Sequence, residues 1–172
     1  MIQQVEYDIE DIEKFLDVHE NSLLNKDSKT LEKLLSVQNK ISLIANINEH
    51  ELKAIITNLQ FIKYNFKDYI IQEGDISQEI FFILSGECHV FVKNKKVGVL
   101  QSSTTFGEGA AIFNTKRNAS VVCASKEVTL LSFSINHENI EFCSSAMATL
   151  YKNLALQINA KLERMNMDLI KK

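Results

Sequence analysis

No proline occurs anywhere in the 172 residues, and no run of eighteen or more apolar residues does either. The second absence removes the usual span of a transmembrane helix, so the chain reads as soluble and without a membrane partner. The N-terminus, MIQQVEYDIEDIE, is acidic from its sixth residue, the opposite of a signal or transit peptide. Cysteine is scarce: Cys88, Cys123 and Cys143 are odd in number, widely spaced and free of any Cys-x-x-Cys. That pattern supports neither a disulfide framework nor a zinc ribbon and fits a reducing cytoplasm. Basic charge is short as well. A net charge of −3 and the lack of a Lys/Arg cluster ahead of the last helix leave no electrostatic footprint for nucleic acid. The four histidines, His19, His50, His89 and His137, are scattered, whereas a metal-dependent β-barrel enzyme needs them clustered with a glutamate, so no metal is expected. Cys88 and His89 alternate across a strand and face opposite sides, which denies them a nucleophile pair.

Glycine is rare, and its placement is informative. All five (Gly74, Gly86, Gly98, Gly107 and Gly109) fall in one middle segment, so the turns, and hence the strands, concentrate there. Upstream, Ile9, Ile12 and Leu16, then Leu31, Leu34, Leu35 and Ile41, recur at helical spacing on either side of the polar break Asn25-Lys26-Asp27-Ser28. A third helix starts at Asn48, with Glu51 completing a capping box, Ile47 and Leu52 at the staple positions, and a buried face of Leu52, Ile55, Ile56 and Leu59. From Phe61 the period shortens. Seven strands are predicted over 61–66, 69–72, 80–84, 88–92, 97–100, 120–124 and 128–133, punctuated by Glu73-Gly74-Asp75 and Ser85-Gly86-Glu87 turns, the pattern of a barrel or jelly roll. Phe81, Phe82, Phe91 and Phe133 read as barrel core. After Phe133 the chain turns helical, with Met147, Leu150, Leu154, Ile158, Leu162, Met165 and Leu169 on one stripe. The 4-4 step from Leu154 through Ile158 to Leu162 departs from a heptad, and the stripe serves a coiled-coil homodimer and packing on the chain's own barrel equally well. Acidic residues of the first helix (Glu6, Asp8, Glu10, Asp11, Glu13) and basic residues of the tail read first as solvated faces, with mutual docking as the weaker alternative.

Between the fifth and sixth runs lies Thr105-Phe-Gly-Glu-Gly-Ala-Ala-Ile-Phe-Asn-Thr-Lys-Arg-Asn-Ala-Ser120, read as a turn followed by one short helix over 110–113. Gly107 and Gly109 free the backbone to approach an anion, and helix N–H groups would point at it. Arg117 adds a planar fork that suits two phosphate oxygens. A carboxylate beside a phosphate site needs its own partner, and Glu108 is best used as acceptor for a sugar hydroxyl pair. Phosphate and ribose together mean a nucleotide. On spacing alone, Glu108 and Arg117 serve equally as a surface ion pair across a hairpin.

The run FGEGAAIFNTKRNAS resembles the phosphate-binding cassette of the cyclic nucleotide-binding domains of protein kinase regulatory subunits, catabolite activator proteins and cyclic-nucleotide-gated channels. In that family the segment reads approximately F-G-E-apolar-A-apolar, a short insert, then R, a small residue, A and T or S. The resemblance extends over about 41–170: the capped helix from Asn48, the Ile70-Ile71-Gln72-Glu73-Gly74-Asp75 turn, Phe81-Phe82-Ile83-Leu84-Ser85-Gly86-Glu87 and two trailing helices follow the family's order. It implies Arg117 on the cyclic phosphate and Glu108 on the ribose 2′-hydroxyl. It also implies the Ala110 and Asn118 amides on phosphate oxygens, Gly107 close to the sugar, and Ser120 where the family has Thr or Ser. Gly109, Ala111 and Ala119 complete the implied ligand-binding set. Two residues depart from the pattern. Gly109 stands where the family places a bulky apolar residue, and Asn118 stands where Thr is linked to cGMP and Ala to cAMP. The ligand is expected to be cAMP, the commoner one among the bacterial members resembled, with cGMP as the alternative.

The expected architecture is mainly β with flanking helices. A jelly-roll β-barrel (double-stranded β-helix) over about 61–133 is preceded by N-terminal helices and followed by two C-terminal helices over about 136–172. An N-terminal helical extension covers 1–40 and the cyclic nucleotide-binding domain 41–172, with no DNA-binding domain. The expected function is a non-catalytic, cytoplasmic sensor or regulatory protein that transmits ligand binding through movement of the C-terminal helices to an effector protein. The alternative is a degenerate barrel acting as a dimerisation or docking module without ligand. Enzymatic hydrolysis of a cyclic phosphate is not expected, because clustered metal ligands are missing from the pattern.

Overall fold

Leu31, Leu34 and Val37 share one face of the first helix in the computed structural model, which describes residues 28–135 and 144–170. This helix, α1 (Ser28–Val37), gives way to a 3₁₀ turn at Gln38–Lys40, so Ile41 lies beyond the helix rather than in it, a correction to the sequence reading. The buried Gln38 amide donates to the Ile44 and Ile47 carbonyls and holds the following loop against the helix end. Helix α2 (Glu49–Ile55) begins as predicted: Asn48 Oδ1 accepts the Glu51 N–H at 2.9 Å, and the Glu51 carboxylate accepts the Asn48 N–H. The expected buried face ends early. A 3₁₀ turn covers Ile56–Asn58 and Leu59 opens a strand, because the β-branched run Ile55-Ile56-Thr57 is poorly suited to continue a helix. The predicted helix through Ile9, Ile12 and Leu16, its acidic face, and the first of the two predicted C-terminal helices, opening at Asn136, lie outside the described residues.

The barrel is two four-stranded antiparallel sheets. One runs β1 (Leu59–Asn65), β8 (Glu127–Ser134), β3 (Glu79–Ser85), β6 (Thr105–Phe106), and the other β2 (Tyr69–Ile71), β7 (Ser120–Cys123), β4 (Glu87–Val92), β5 (Lys95–Gln101). This is the predicted jelly roll, with one addition. The two-residue β6, which pairs Phe106 with Phe81 and Thr105 with Phe82, is too short to show a period in sequence. Strand β3 explains itself by its burial. Phe81 and Ile83 face the barrel interior with Ile71, Val121 and Leu130, while Ile80, Phe82 and Leu84 face the helices with Leu52, Leu131 and Phe133. Burial on both faces is why Ile-Phe-Phe-Ile-Leu reads as a continuous apolar run; each such side chain contributes about 1.5–3 kcal/mol of transfer free energy. Phe91 departs from its predicted place in the core. Cys88 and Val90 of β4 point into the barrel, so alternation turns Phe91 outward beside His89, and it is only half-buried.

The last described helix, α4 (Ser144–Ile170), packs Ala146, Leu150 and Leu154 into the helix-side core. Buried Asn153 donates through Nδ2 to the Leu43 and Ala45 carbonyls at 3.1 and 2.8 Å. Beyond that anchor the stripe leaves the core: Leu162, Met165 and Leu169 are exposed. Among the described residues no helix is long and apolar enough to cross a membrane.

Candidate functional site

The segment between β5 and β7 is tied near its C-terminal end to the turn after β2. Gly74 N–H donates to the Arg117 carbonyl at 2.8 Å, Arg117 N–H to the Asp75 carbonyl at 2.7 Å, and Ile76 bridges Lys116. Three residues on, Ser120 Oγ accepts the Glu73 N–H at 2.9 Å. Ahead of these ties runs the short helix α3 (Glu108–Phe113), two residues longer at its start than predicted, entered through Gly107 at φ +83° and left through Asn114 at φ +50°. Its first-turn N–H groups lack intrahelical acceptors.

Arg117 is only 4% exposed. Its Nη1 donates to the Gly107 carbonyl at 2.6 Å, and Nη2 to the Glu79 carbonyl at 2.7 Å and Ser77 Oγ at 3.0 Å. Its Nε–H is buried without a partner. All of these acceptors are neutral. Burial pulls the guanidinium below its ordinary value, while the fields of Glu79, Glu108 and Asp75 favour the charge. The sequence alternative of a surface Glu108–Arg117 ion pair is overturned: both are buried, and the Glu108 carboxylate is paired instead with Lys161 Nζ of α4.

Only glycine fits at 107. A β-carbon there would lie 2.7 Å from Arg117 Nη1, 3.0 Å from the Glu79 carbonyl and 3.2 Å from Ile71 Cδ1, on a backbone that already needs positive φ. Gly107→Ala is therefore expected to displace the guanidinium and cost about 1–3 kcal/mol of stability. Gly98→Ala, whose β-carbon would meet nothing closer than 3.9 Å, serves as the control in the same thermal melt.

Gly107, Glu108, Gly109, Ala110, Arg117, Asn118 and Ala119 line one cavity of about 350 Å³. Two predicted site residues stand apart from that lining. Ala111 is buried in the helix-side core, and Ser120 is engaged by the Glu73 amide. The opposite wall was not legible in sequence: Ile71, Val90, Leu100 and Val121 come from four separate strands, and Phe106 stacks on Phe81 with ring centroids 5.1 Å apart. Ile158 of α4 also lines the cavity. Its place on the amphipathic stripe of the last helix was visible, but nothing in the periodicity singled it out. Among the described residues no group of three or more His, Cys, Asp or Glu side chains gathers as a metal site.

Residues 61–139 match the family model described as the cyclic nucleotide-binding domain, a span that holds the barrel from the third residue of β1 onward and every cavity residue except Ile158. These residues are a cyclic nucleotide-binding domain. Over 98 residues, 57% of this chain and 11% of the relative, the chain is 34% identical to a cGMP-dependent protein kinase of Plasmodium berghei. The chain spans 9–13% of the length of the kinase relatives it matches. A solved cyclic nucleotide-binding domain from Methylobacillus flagellatus superposes over 97% of both chains with a TM-score of 0.69 and 18% identity. The Thermus thermophilus catabolite activator protein superposes over 74% of this chain and 61% of its own, with a TM-score of 0.58 and 20% identity. These two likenesses establish the fold of the cyclic nucleotide-binding domain, mostly β with helices at its ends.

Proposed function

We propose that the cavity binds a cyclic purine nucleotide and that the domain is a non-catalytic sensor whose occupancy is passed on through α4. The observation that carries this is Arg117, a buried cation that lines the cavity, is met only by neutral oxygens and keeps an unspent Nε–H. A cyclic phosphate brings the missing anion. Charge-assisted bonds of that kind are about twice as strong as neutral ones. The cavity volume falls within the range of small-ligand sites, roughly 300–1,000 Å³. Ala110 and Asn118 amides would take the phosphate oxygens, and the Glu108 carboxylate, with one oxygen on Lys161, has its other oxygen for the ribose 2′-hydroxyl. Ile71, Val90, Leu100, Val121 and Ile158 supply the apolar enclosure for the base.

The sequence expectation of cAMP stands as our reading of the ligand. A second reading, cGMP, is favoured by the cGMP-dependent protein kinases among the relatives and by Asn118, whose side-chain amide can donate to a guanine carbonyl. Isothermal titration of nucleotide-free protein with both purines tests the proposal: micromolar or tighter binding of one assigns the ligand, and no binding of either moves the assignment to a docking module. Incubation with cAMP and analysis for AMP tests the non-catalytic part, which any turnover would sink. Leu162, Met165 and Leu169 are the exposed residues that a homodimer or an effector protein would cover, and light scattering of the chain distinguishes the two. A cytoplasmic setting completes the proposal.

Lys161 and Ile158 give α4 its coupling to the ligand. A nucleotide seated between Glu108 and Arg117 would be sensed one turn apart on the same helix, by charge at Lys161 and by contact at Ile158. The lysine side chain is partly exposed, so screening limits the pair. Lys161→Met is expected to weaken nucleotide binding about threefold to tenfold, near 1 kcal/mol, and to speed hydrogen exchange in α4 beyond residue 155. Unchanged affinity with unchanged exchange would separate α4 from the site.

A further inference from the structure

Strands β4 and β7 place Cys88 directly opposite Cys123. The backbone bonds around them fix the kind of pair. Ala124 N–H donates to the Glu87 carbonyl at 2.8 Å, while the N–H and C=O of Cys123 turn the other way, to Asp68 and Lys67 at 2.9 and 3.0 Å. Cys88 and Cys123 are thus a non-hydrogen-bonded antiparallel pair, the closer of the two types, with α-carbons about 4.5 Å apart. A disulfide takes α-carbon separations of about 4.4–6.8 Å. Directly opposed residues also project to the same face, and both side chains lie in the barrel-interior core, both as free thiols.

We propose that Cys88 and Cys123 are a cross-strand dithiol that closes to a disulfide on oxidation, with the strand pairing kept. The segment from 88 to 123 contains β5, β6, α3 and Arg117, so this single bond would enclose the whole phosphate-facing run of residues 106–120 in a covalent loop. With a peroxide as oxidant the chemistry balances. One thiolate attacks a peroxide oxygen to give a sulfenic acid and water. The second thiol then displaces that hydroxyl as a second water, forming the S–S bond. Two thiols lose two electrons and two protons, and the peroxide is reduced to two waters.

The thiols are buried, and burial pushes Cys88 up to about 12 and Cys123 upward as well. Since the thiolate is the nucleophile, closure is slow and proceeds through transient opening at β2, the three-residue strand on the outer side of β7. Slowness does not alter the end point, and a bond across so long a loop favours the folded state by restricting the unfolded one.

The test is oxidation of the folded chain by excess hydrogen peroxide over hours, followed by unfolding, N-ethylmaleimide blocking and peptide mapping. A Cys143→Ser variant is treated in parallel to remove mixed pairing. The expected result is a Cys88–Cys123 cross-linked peptide, a mass lower by two hydrogens, reversal by a thiol reductant, and a melting temperature several degrees above that of the reduced protein. Two maleimides on Cys88 and Cys123 after exhaustive treatment, or their separate conversion to sulfinic acids, would overturn the proposal. A bond that forms but lowers the melting temperature would overturn the claim that strand spacing accommodates it. None of these outcomes depends on whether a nucleotide binds.

Discussion

Arg117→Ala is expected to weaken cyclic nucleotide binding by about 2–5 kcal/mol, roughly thirtyfold to several thousandfold, when titrated against cAMP and cGMP. The size of the loss follows from where the guanidinium sits. It is 4% exposed and its only contacts are carbonyl and hydroxyl oxygens, so a phosphate in the cavity would be its sole anion within bonding distance among the described groups. Without it the phosphate meets a pocket whose remaining charges are the Glu108–Lys161 pair. Arg117→Lys separates charge from geometry. Lysine keeps a cation but cannot hold the Gly107 and Glu79 carbonyls and still present a donor to the ligand, so an intermediate loss is expected. If the alanine variant bound both purines as wild type does, the site assignment would be wrong.

The largest expected change in stability comes from Gly86→Ala, in the turn joining β3 to β4. At φ +90° a β-carbon there would lie 2.6 Å from the Glu127 carbonyl, 2.7 Å from Ser125 Oγ and 2.7 Å from Val128 Cγ2. None of these can yield cheaply. Ser125 Oγ accepts the Glu87 N–H and donates to that same Glu127 carbonyl, and Val128 is buried at the start of the β8 core face. Backbone strain and overpacking together cost about 2–4 kcal/mol, which lowers the melting temperature of a protein this size by roughly 5–15 °C. Gly74→Ala isolates the strain alone. Its φ is +94° but nothing lies within 4 Å, so about 1–2 kcal/mol is expected. Equal losses in the two variants would show that the contacts at Gly86 do not matter.

Much of this protein was legible before its coordinates because its signals are local. The Asn48 cap, the Glu73-Gly74-Asp75 and Ser85-Gly86-Glu87 turns and the spacing from Phe106 to Ser120 are each written in adjacent residues, and each appears where expected. The illegible parts are those that arise between elements. Lys161 is an ordinary charge on a long helix until α4 folds back and sets it against Glu108. Ser77 and the Glu79 backbone carry no sequence pattern at all, yet they hold Arg117. Phe91 lies on the outer face of β4 because the barrel takes Cys88 and Val90 inward, a choice of face that the apolar run Val90-Phe91-Val92 does not declare. Ile41 failed because Gln38, polar and buried, ends the helix from within the core.

The bonds from Asn153 to the Leu43 and Ala45 carbonyls make one point of α4 a fulcrum. Ile158 lines the cavity and Lys161 pairs with its Glu108, both within three turns of that pivot, and the arm runs on to Ile170. At 1.5 Å per residue, the length from Asn153 to Ile170 is roughly 25 Å, so a tilt of about 10° displaces the tip by roughly 4 Å, about twice the displacement at Lys161. On the proposed sensor reading the helix would be a lever that trades force for travel: a shift of a few ångströms beside the cavity would reach the exposed end enlarged, about a pivot set by Asn153.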